Sequence, residues 1–534
     1  MRALAAICFF VTLSPTLTGQ TPRFEISDVH RSGEALNPYT YLSGGVLRGA
    51  RYDVRKATML DLIRIAYGVQ PAAVFGGPQW LEFDKFDIAA KAPAGSSSET
   101  VRLMLQSLLA ERFKLAVHRD MRPMPAFALG EGKDKPKLRE TSGAGDAGCE
   151  YQSQSAGPQS GGSFSRVYSC HKMTMKAFAD RLHDMAGDYL IEPAVDSTGI
   201  EGTWDFDLRW NERSQVMQGG AARTTIFDAV EKQLGLSLTL KTAPAPALVI
   251  DKVNEKPTDN LPQATQALPP RELAFEVASL KTSPPDEKGC CFQVTPGGGL
   301  SSRAMPMRIL LAAAWDVDWD HADDKIAGLP KWVDSARFDI DAKASSTTNA
   351  PPLMGSGYID DDVRLMLRAL LMERFRMKVH YEDRLTKAYS LVSVKPKMKK
   401  ADPANRGSCR EARTMANDPR DVNPILARLV TCQNASMAQF AAQLQGLSPD
   451  DFAYPVEDAT GINGAWDFTL SFTPSWMLGN SAPQGGVSAE AAAPNGGISL
   501  AEAISKQLGL KLEMRKRMLP VLVIDHIEDK PAEN

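Results

Sequence analysis

The phrase RLMLQSLLAERFKLAVHRD begins at Arg102 and returns at Arg364 as RLMLRALLMERFRMKVHYED. A phrase this long, repeated with its one histidine in a chain holding seven histidines, restricts the fold to one that builds the same unit twice. The repeat extends well beyond it. FEISDV at Phe24 answers FEVASL at Phe275, and GGPQWLEFDKFDIAAKA at Gly76 answers GLPKWVDSARFDIDAKA at Gly328. DSTGIEGTWDFDL at Asp196 answers DATGINGAWDFTL at Asp458, and LVIDKVNEKPTDN and LVIDHIEDKPAEN close the two series. The order is the same throughout and the period is far too long for a solenoid. The chain therefore reads as two tandem homologous domains, 21–258 and 271–534, joined by a Pro- and Gln-rich linker at 259–270.

Each copy repeats again within itself. Four times a strand-like run ends in a turn and a helix, as in GGVLRGARYDVRKATMLDLI and NPILARLVTCQNASMAQFAAQL; four times an aromatic-Asp strand follows, FDIAAKA, WDFDLRW, FDIDAKA and WDFTLSF. An amphipathic helix comes next. Val101, Met104, Leu105, Leu108 and Leu109 fall at helical spacing on one apolar face, and Val363, Met366, Leu367, Leu370 and Leu371 repeat it. Alternating runs around Pro- or charge-rich centres, such as KLAVHRDMRPMPAFAL and SLTLKTAPAPALVI, then read as hairpins. Each half-copy is thus expected to be β-α-β-α-β-β, giving an α+β fold with helices packed on mostly antiparallel sheets. Gly-, Ser- and Ala-rich inserts at 141–163, 211–223, 344–357 and 474–497 read as exposed loops.

The first twenty residues carry one positive charge at Arg2, an apolar run from Leu4 to Leu13, Pro15 and small residues near Gly19. They read as a signal peptide, 1–20, because the run is shorter than the roughly 20 residues a membrane span needs. An uncleaved anchor is the competing reading. With Cys8 removed the count is even: Cys149, Cys170, Cys290, Cys291, Cys409 and Cys432. In an exported chain this suggests disulfides, Cys149 with Cys170 and Cys409 with Cys432. Metal ligation fits less well, since there is no CxxC and no histidine at finger spacing. A net charge of -3 shows no bias towards nucleic acid or anionic membrane.

Taken together, FEVAS, ERFKLAVHRD, the D-x-TGI-x-G-x-WDF turn, KQLGL and the LVID...KP ending resemble a large family of secreted proteins of unknown function, of the Solibacter type and expanded in acidobacteria. The resemblance covers nearly the whole mature chain, twice. It implies export and an α+β domain without an established activity. Some relatives carry a similar domain attached to a membrane metallopeptidase of the β-lactam-sensor type, which implies a sensing or binding role outside the cytoplasm.

No chemistry-bearing motif stands out. His118 and His380 sit on alternating strands where, aligned by sequence, the other half-copies place Lys241 and Arg515. Arginine cannot replace a general base, so both histidines are expected at exposed strand positions without a dedicated carboxylate partner. Ser169-Cys170-His171-Lys172 matches S-x-x-K but lacks its companion motifs. His183 with Asp184, and His321 with Asp323 and Asp324, occur in one copy each and read as surface charge. Asp196, Gly199, Gly202 and Trp204, with Asp458, Gly461, Gly464 and Trp466, mark a tight turn before a core strand and are the candidate ligand-contacting residues. No catalytic, metal or cofactor residue is assigned.

The expected role is non-enzymatic binding or sensing in the cell envelope, periplasmic or extracellular, with an envelope protein or small ligand as partner. The alternative is an envelope hydrolase or peptidase-associated protein whose site is assembled from dispersed residues, and a third reading is a purely structural repeat. A deep pocket with two or more titratable groups would favour the enzyme; a broad apolar groove would favour the binder.

Overall fold

A computed structural model of the chain describes residues 21–33, 42–141, 147–151, 165–190, 192–212, 224–271, 274–284, 287, 289, 292–295, 299–318, 321–344, 361–411, 419, 426–448, 451–452, 454–478 and 497–532. The N-terminal apolar run, Cys290, Cys291 and most of the four inserts lie outside them. Within them the chain builds one unit four times. In the first unit a bulged strand, Arg51–Thr58, leads into helix Met59–Tyr67, short strand Val74–Gly76, aromatic-Asp strand Lys85–Lys91, helix Ser98–Arg112 and long strand Ala116–Glu131. The third unit repeats this with Gly299–Pro306, Met307–Trp315, Ile326–Ala327, Arg337–Lys343, Asp361–Arg374 and Lys378–Ser393. The second and fourth units end in Leu236–Lys252 and Leu510–His526. Both predicted helix faces, Val101 to Leu109 and Val363 to Leu371, are buried as their spacing requires. The fold is α+β with mostly antiparallel sheets.

The recurrent aspartate has a structural task. In each unit the bulge places one residue in the left-handed region: Lys56, Lys172, Ala304 and Asn434, with φ of 52°, 49°, 45° and 45°. The bulge leaves that residue's N–H without a ladder partner. Asp87, Asp205, Asp339 and Asp467 on the neighbouring strand accept it, each at 2.8 Å. A carboxylate acceptor gives a charge-assisted bond, which offsets the cost of a side-chain-bearing residue at positive φ. The helix then begins at once behind an N-cap, Thr58, Thr174 or Ser436.

The expected hairpins are not formed. Each of these runs is a single continuous strand, and the two long strands of a copy pair with each other as an antiparallel ribbon, Ala116–Glu131 with Leu236–Lys252 and Lys378–Ser393 with Leu510–His526. Prolines suggested turns, but Pro123 pairs with Pro244, Pro125 with Thr242 and Pro246 with Met121. Recurring every second residue, they all fall on pairs that need not exchange N–H bonds, so the ladder tolerates them.

The ribbon exchanges material between half-units. Leu248 and Ile250, from the second unit's strand, pack into the first unit's core beside Leu105, Phe86 and Ile63. Phe127 and Leu129 do the reverse. In the second copy Leu522 and Ile524 complete the third unit's core, and Tyr389 and Leu391 the fourth's. Each short strand likewise pairs in parallel with the other unit's long strand: Val74–Gly76 with Leu248–Ile250, and Ala194–Asp196 with Phe127–Leu129.

The copies also touch. Glu82 of the first receives Arg406 Nε at 2.7 Å and Arg410 Nε at 2.8 Å, while Gln79 bonds the Asn434 carbonyl at 2.9 Å. Gly407 lies so close that an added Cβ would stand 2.3 Å from the Gln79 carbonyl oxygen. The segment read as a linker is docked as well. Asn260 bonds both the Val29 N–H and Asp28, Thr265 bonds Asp28, and Leu268 is buried.

The exchange yields a direct expectation. A fragment spanning 271–411 should fail to fold cooperatively in urea, since its core lacks Leu522 and Ile524, each contributing about 1.5–3 kcal/mol. A fragment spanning 271–534 should unfold as one unit. Cooperative unfolding of the shorter fragment would contradict the exchange.

Candidate functional site

The ribbon carries an internal axis. Helices turn into the long strands through a left-handed residue at Lys114, Gly235, Arg376 and Gly509. Equal steps from Arg376 and Gly509 reach Leu385 and Met518, which are paired. The same steps from Lys114 and Gly235 reach Pro123 and Pro244, again paired. A pseudo-twofold axis therefore passes through the middle of each ribbon.

Beside this axis in the second copy lies a small recess, about 60 Å³, that opens to solvent. Its walls come in equivalent pairs. Asp324 and Lys325 precede the short strand Ile326–Ala327, as Tyr454 and Pro455 precede Val456–Asp458. On the ribbon itself Thr386 matches Leu519, and Lys387 matches Pro520. The third unit thus supplies the polar wall and the fourth mainly the apolar one. In the first copy Asp324, Lys325, Thr386 and Leu519 correspond to Ala72, Ala73, Met124 and Ala245, Lys387 and Pro520 to Pro125 and Pro246, and Tyr454 to Glu192. There Ala73, Met124 and Ala245 are buried together as a small apolar cluster.

The polar wall is an ionic cluster with one member left out. Tyr454 Oη donates to Asp324 Oδ2, and Lys387 Nζ lies 3.2 Å from the same oxygen and 3.3 Å from the phenol. Burial raises the Asp324 carboxyl, but the bonds from Tyr454 and Lys387 outweigh it and hold the group below its ordinary value. Burial, then the bond to Asp324, pushes the Tyr454 phenol up; bonds with Tyr454 and Asp324 push Lys387 up. Lys325 is 8% exposed, and its Nζ has no hydrogen-bond partner among the described residues. Burial holds its ammonium below the ordinary lysine range, with the charges of Asp318, Asp316 and Asp324 acting in the opposite sense. Thr386 Oγ1 is also buried without a partner among the described residues.

The residues singled out from sequence lie elsewhere. Asp196 Oδ1 accepts the Thr198 N–H and hydroxyl at 2.9 and 2.8 Å, and Asp458 does the same for Thr460 at 2.8 and 2.7 Å. Gly199, Gly202, Gly461 and Gly464 all have positive φ, and Trp204 and Trp466 lean half-buried on their cores. These turns bond within themselves, and none of the eight residues lines the recess. Cys149 bridges Cys170 and Cys409 bridges Cys432, each joining directly paired strands with Cα atoms 4.0 Å apart.

His118 and His380 are about half exposed, yet each has a carboxylate partner: Nδ1 lies 2.9 Å from Asp251 and from Asp525, respectively. Counted from the left-handed residues, their true equivalents are Thr239 and Glu513, not Lys241 and Arg515. Ser169 Oγ donates to Asp207, and Cys170 is tied up in its disulfide. His321 bonds Asp318, not Asp323 or Asp324; the side chain of His183 is not among those described. Lys325, Thr386, Lys387 and Tyr454 were not singled out. Their signal was the difference between copies, where HADDK replaces the apolar stretch around Ala72 and Ala73.

Exchanged ribbons and four bulged units define a tandem α+β protein with one open axis site and one filled. The chain belongs to the family described as protein of unknown function (DUF3738), which matches residues 60–253 and 308–527, once in each copy. Neither a curated protein nor a solved structure gives a match.

The buried amine has a pH signature. Its folded-state value lies below the unfolded one of about 10.4, so the native chain carries a penalty that is fully present below the folded value and fades as pH rises towards the unfolded value. Replacing Lys325→Met should raise stability in urea at about pH 7 by on the order of 1 kcal/mol. The gain should shrink by about pH 10. A loss of stability at neutral pH would contradict this account of Lys325.

Proposed function

We propose that the protein is a non-enzymatic binding module exported to the cell envelope or beyond, that its ligand is a small molecule, and that the recess of the second copy is the site. One observation carries this reading: Lys325 and Thr386, which line the recess, each bury a polar atom without a partner among the described residues, where the first copy places Ala73 and Met124 in a buried apolar cluster. Unpartnered buried polar groups cost about 1–3 kcal/mol each, a cost that a bound ligand would relieve. Export is supported by the apolar run in residues 1–20 and by the two disulfides. Among the described residues no helix is long and apolar enough to cross a membrane.

The gathering of Asp324, Lys325, Lys387 and Tyr454 favours the second reading, an envelope hydrolase. Their electrostatics favour binding. Three of the four are shifted away from neutrality, Asp324 down, Tyr454 and Lys387 up, which makes them poor proton carriers at physiological pH. The Thr386 hydroxyl has no base bonded to it among the described residues.

The test is a ligand-observed NMR screen of a fragment library against the full chain and against Lys325→Ala/Thr386→Met, which rewrites the recess as Ala73 and Met124 of the first copy. Binding fragments should be lost from the double variant while its thermal unfolding stays cooperative. Retention of the same fragments would remove the recess as the site, and conversion of a fragment to product would move the reading to the hydrolase.

A further inference from the structure

The recess also specifies what kind of molecule it would take, an inference that rests on the binding role given above. The charge around Lys325 is unevenly matched. Three carboxylates lie within electrostatic reach, and each is committed elsewhere: Asp316 to Arg364 at 2.9 Å, Asp318 to His321 at 2.9 Å, and Asp324 to Lys387 and Tyr454. Lys325 is the member without a hydrogen bond among the described residues. The deficit beside the recess is therefore of an acceptor, and Thr386, which also lines the recess and whose hydroxyl likewise has no partner among the described residues, can donate to one. The same lining includes Pro455, Leu519, Pro520 and Val521, which offer apolar surface without an N–H from the two prolines.

We infer that the recess binds a small monocarboxylic acid with an apolar body, the carboxylate received by Lys325 and Thr386 and the body laid against the Pro455–Leu519–Pro520–Val521 wall. The asymmetry of the pseudo-twofold axis supports this orientation. Equivalent positions on the two sides hold Lys325 against Pro455 and Thr386 against Leu519, so the site is polar at one end and apolar at the other. A dication would leave Lys325 without an acceptor, and a uniformly polar sugar would leave the apolar wall uncovered. A charge-assisted bond to a desolvated ammonium is among the stronger single contacts a small ligand can make.

Octanoate, octanol and octylamine share one tail and differ only in the head, so titration calorimetry of the three against the full chain reads the head directly. Octanoate should bind, with octanol and octylamine at least about tenfold weaker. Lys325→Met should cost octanoate at least about tenfold while leaving octanol unchanged. Thr386→Met, which reproduces Met124 and keeps Lys325, should abolish binding of all three, and it carries the test if Lys325→Met does not fold. If octanol or octylamine matches octanoate and all are lost in Thr386→Met, the carboxylate is wrong and the site stands. If none of the three binds more tightly to the full chain than to Thr386→Met, both the carboxylate and the site are overturned.

Discussion

Everything in this fold hangs on strands too long to belong to one half-unit. A strand of sixteen or seventeen residues begins under its own helices and ends in the other half's core, so neither core closes without the other. Burial of Leu522 and Ile524 in a core they do not neighbour in sequence ties two β-α-β-α units into one cooperative body. The disulfides act on a different part of the structure. They pin an edge strand to the bulged strand of the second and fourth units and contribute on the order of 3 kcal/mol each in the chain-entropy view.

The same ribbon makes the site. Its axis brings equivalent residues of two units together, once in each copy. One axis closes over Ala73, Met124 and Ala245. The other keeps Lys325 Nζ and Thr386 Oγ1 buried and without a hydrogen-bond partner among the described residues, on residues that line open space. The apolar side chains of Ala73, Met124 and Ala245 carry no desolvation cost there, whereas a buried ammonium does.

Much of the fold was legible in the sequence, for physical reasons that also explain the misreadings. Helical period showed the buried faces of Val101 to Leu109 and Val363 to Leu371 because amphipathic spacing is a local property. The paired cysteines were legible because each pair flanks one strand crossing. Pro123 and Pro125 read as a turn because a single sequence does not show which strand positions lack a hydrogen-bonding demand. The histidine alignment slipped by two residues because Lys114 and Gly235, alike only in backbone angle, share no chemistry to align on. Lys325 escaped notice for the opposite reason. Its neighbours Asp323 and Asp324 look like surface charge, and the residues that enclose it, Tyr454 and Val521 among them, arrive from another unit.

The central claim is that the open axis of the second copy is a ligand site and the filled axis of the first is not. A crystal structure of the full chain grown with octanoate tests it most directly. The account predicts one bound molecule per chain, at the second copy's axis, with its carboxylate within hydrogen-bond distance of Lys325 Nζ and the Met124 cluster undisturbed. Octanoate seated at the first copy's axis, or at the second with its carboxylate turned away from Lys325 towards solvent, would contradict it.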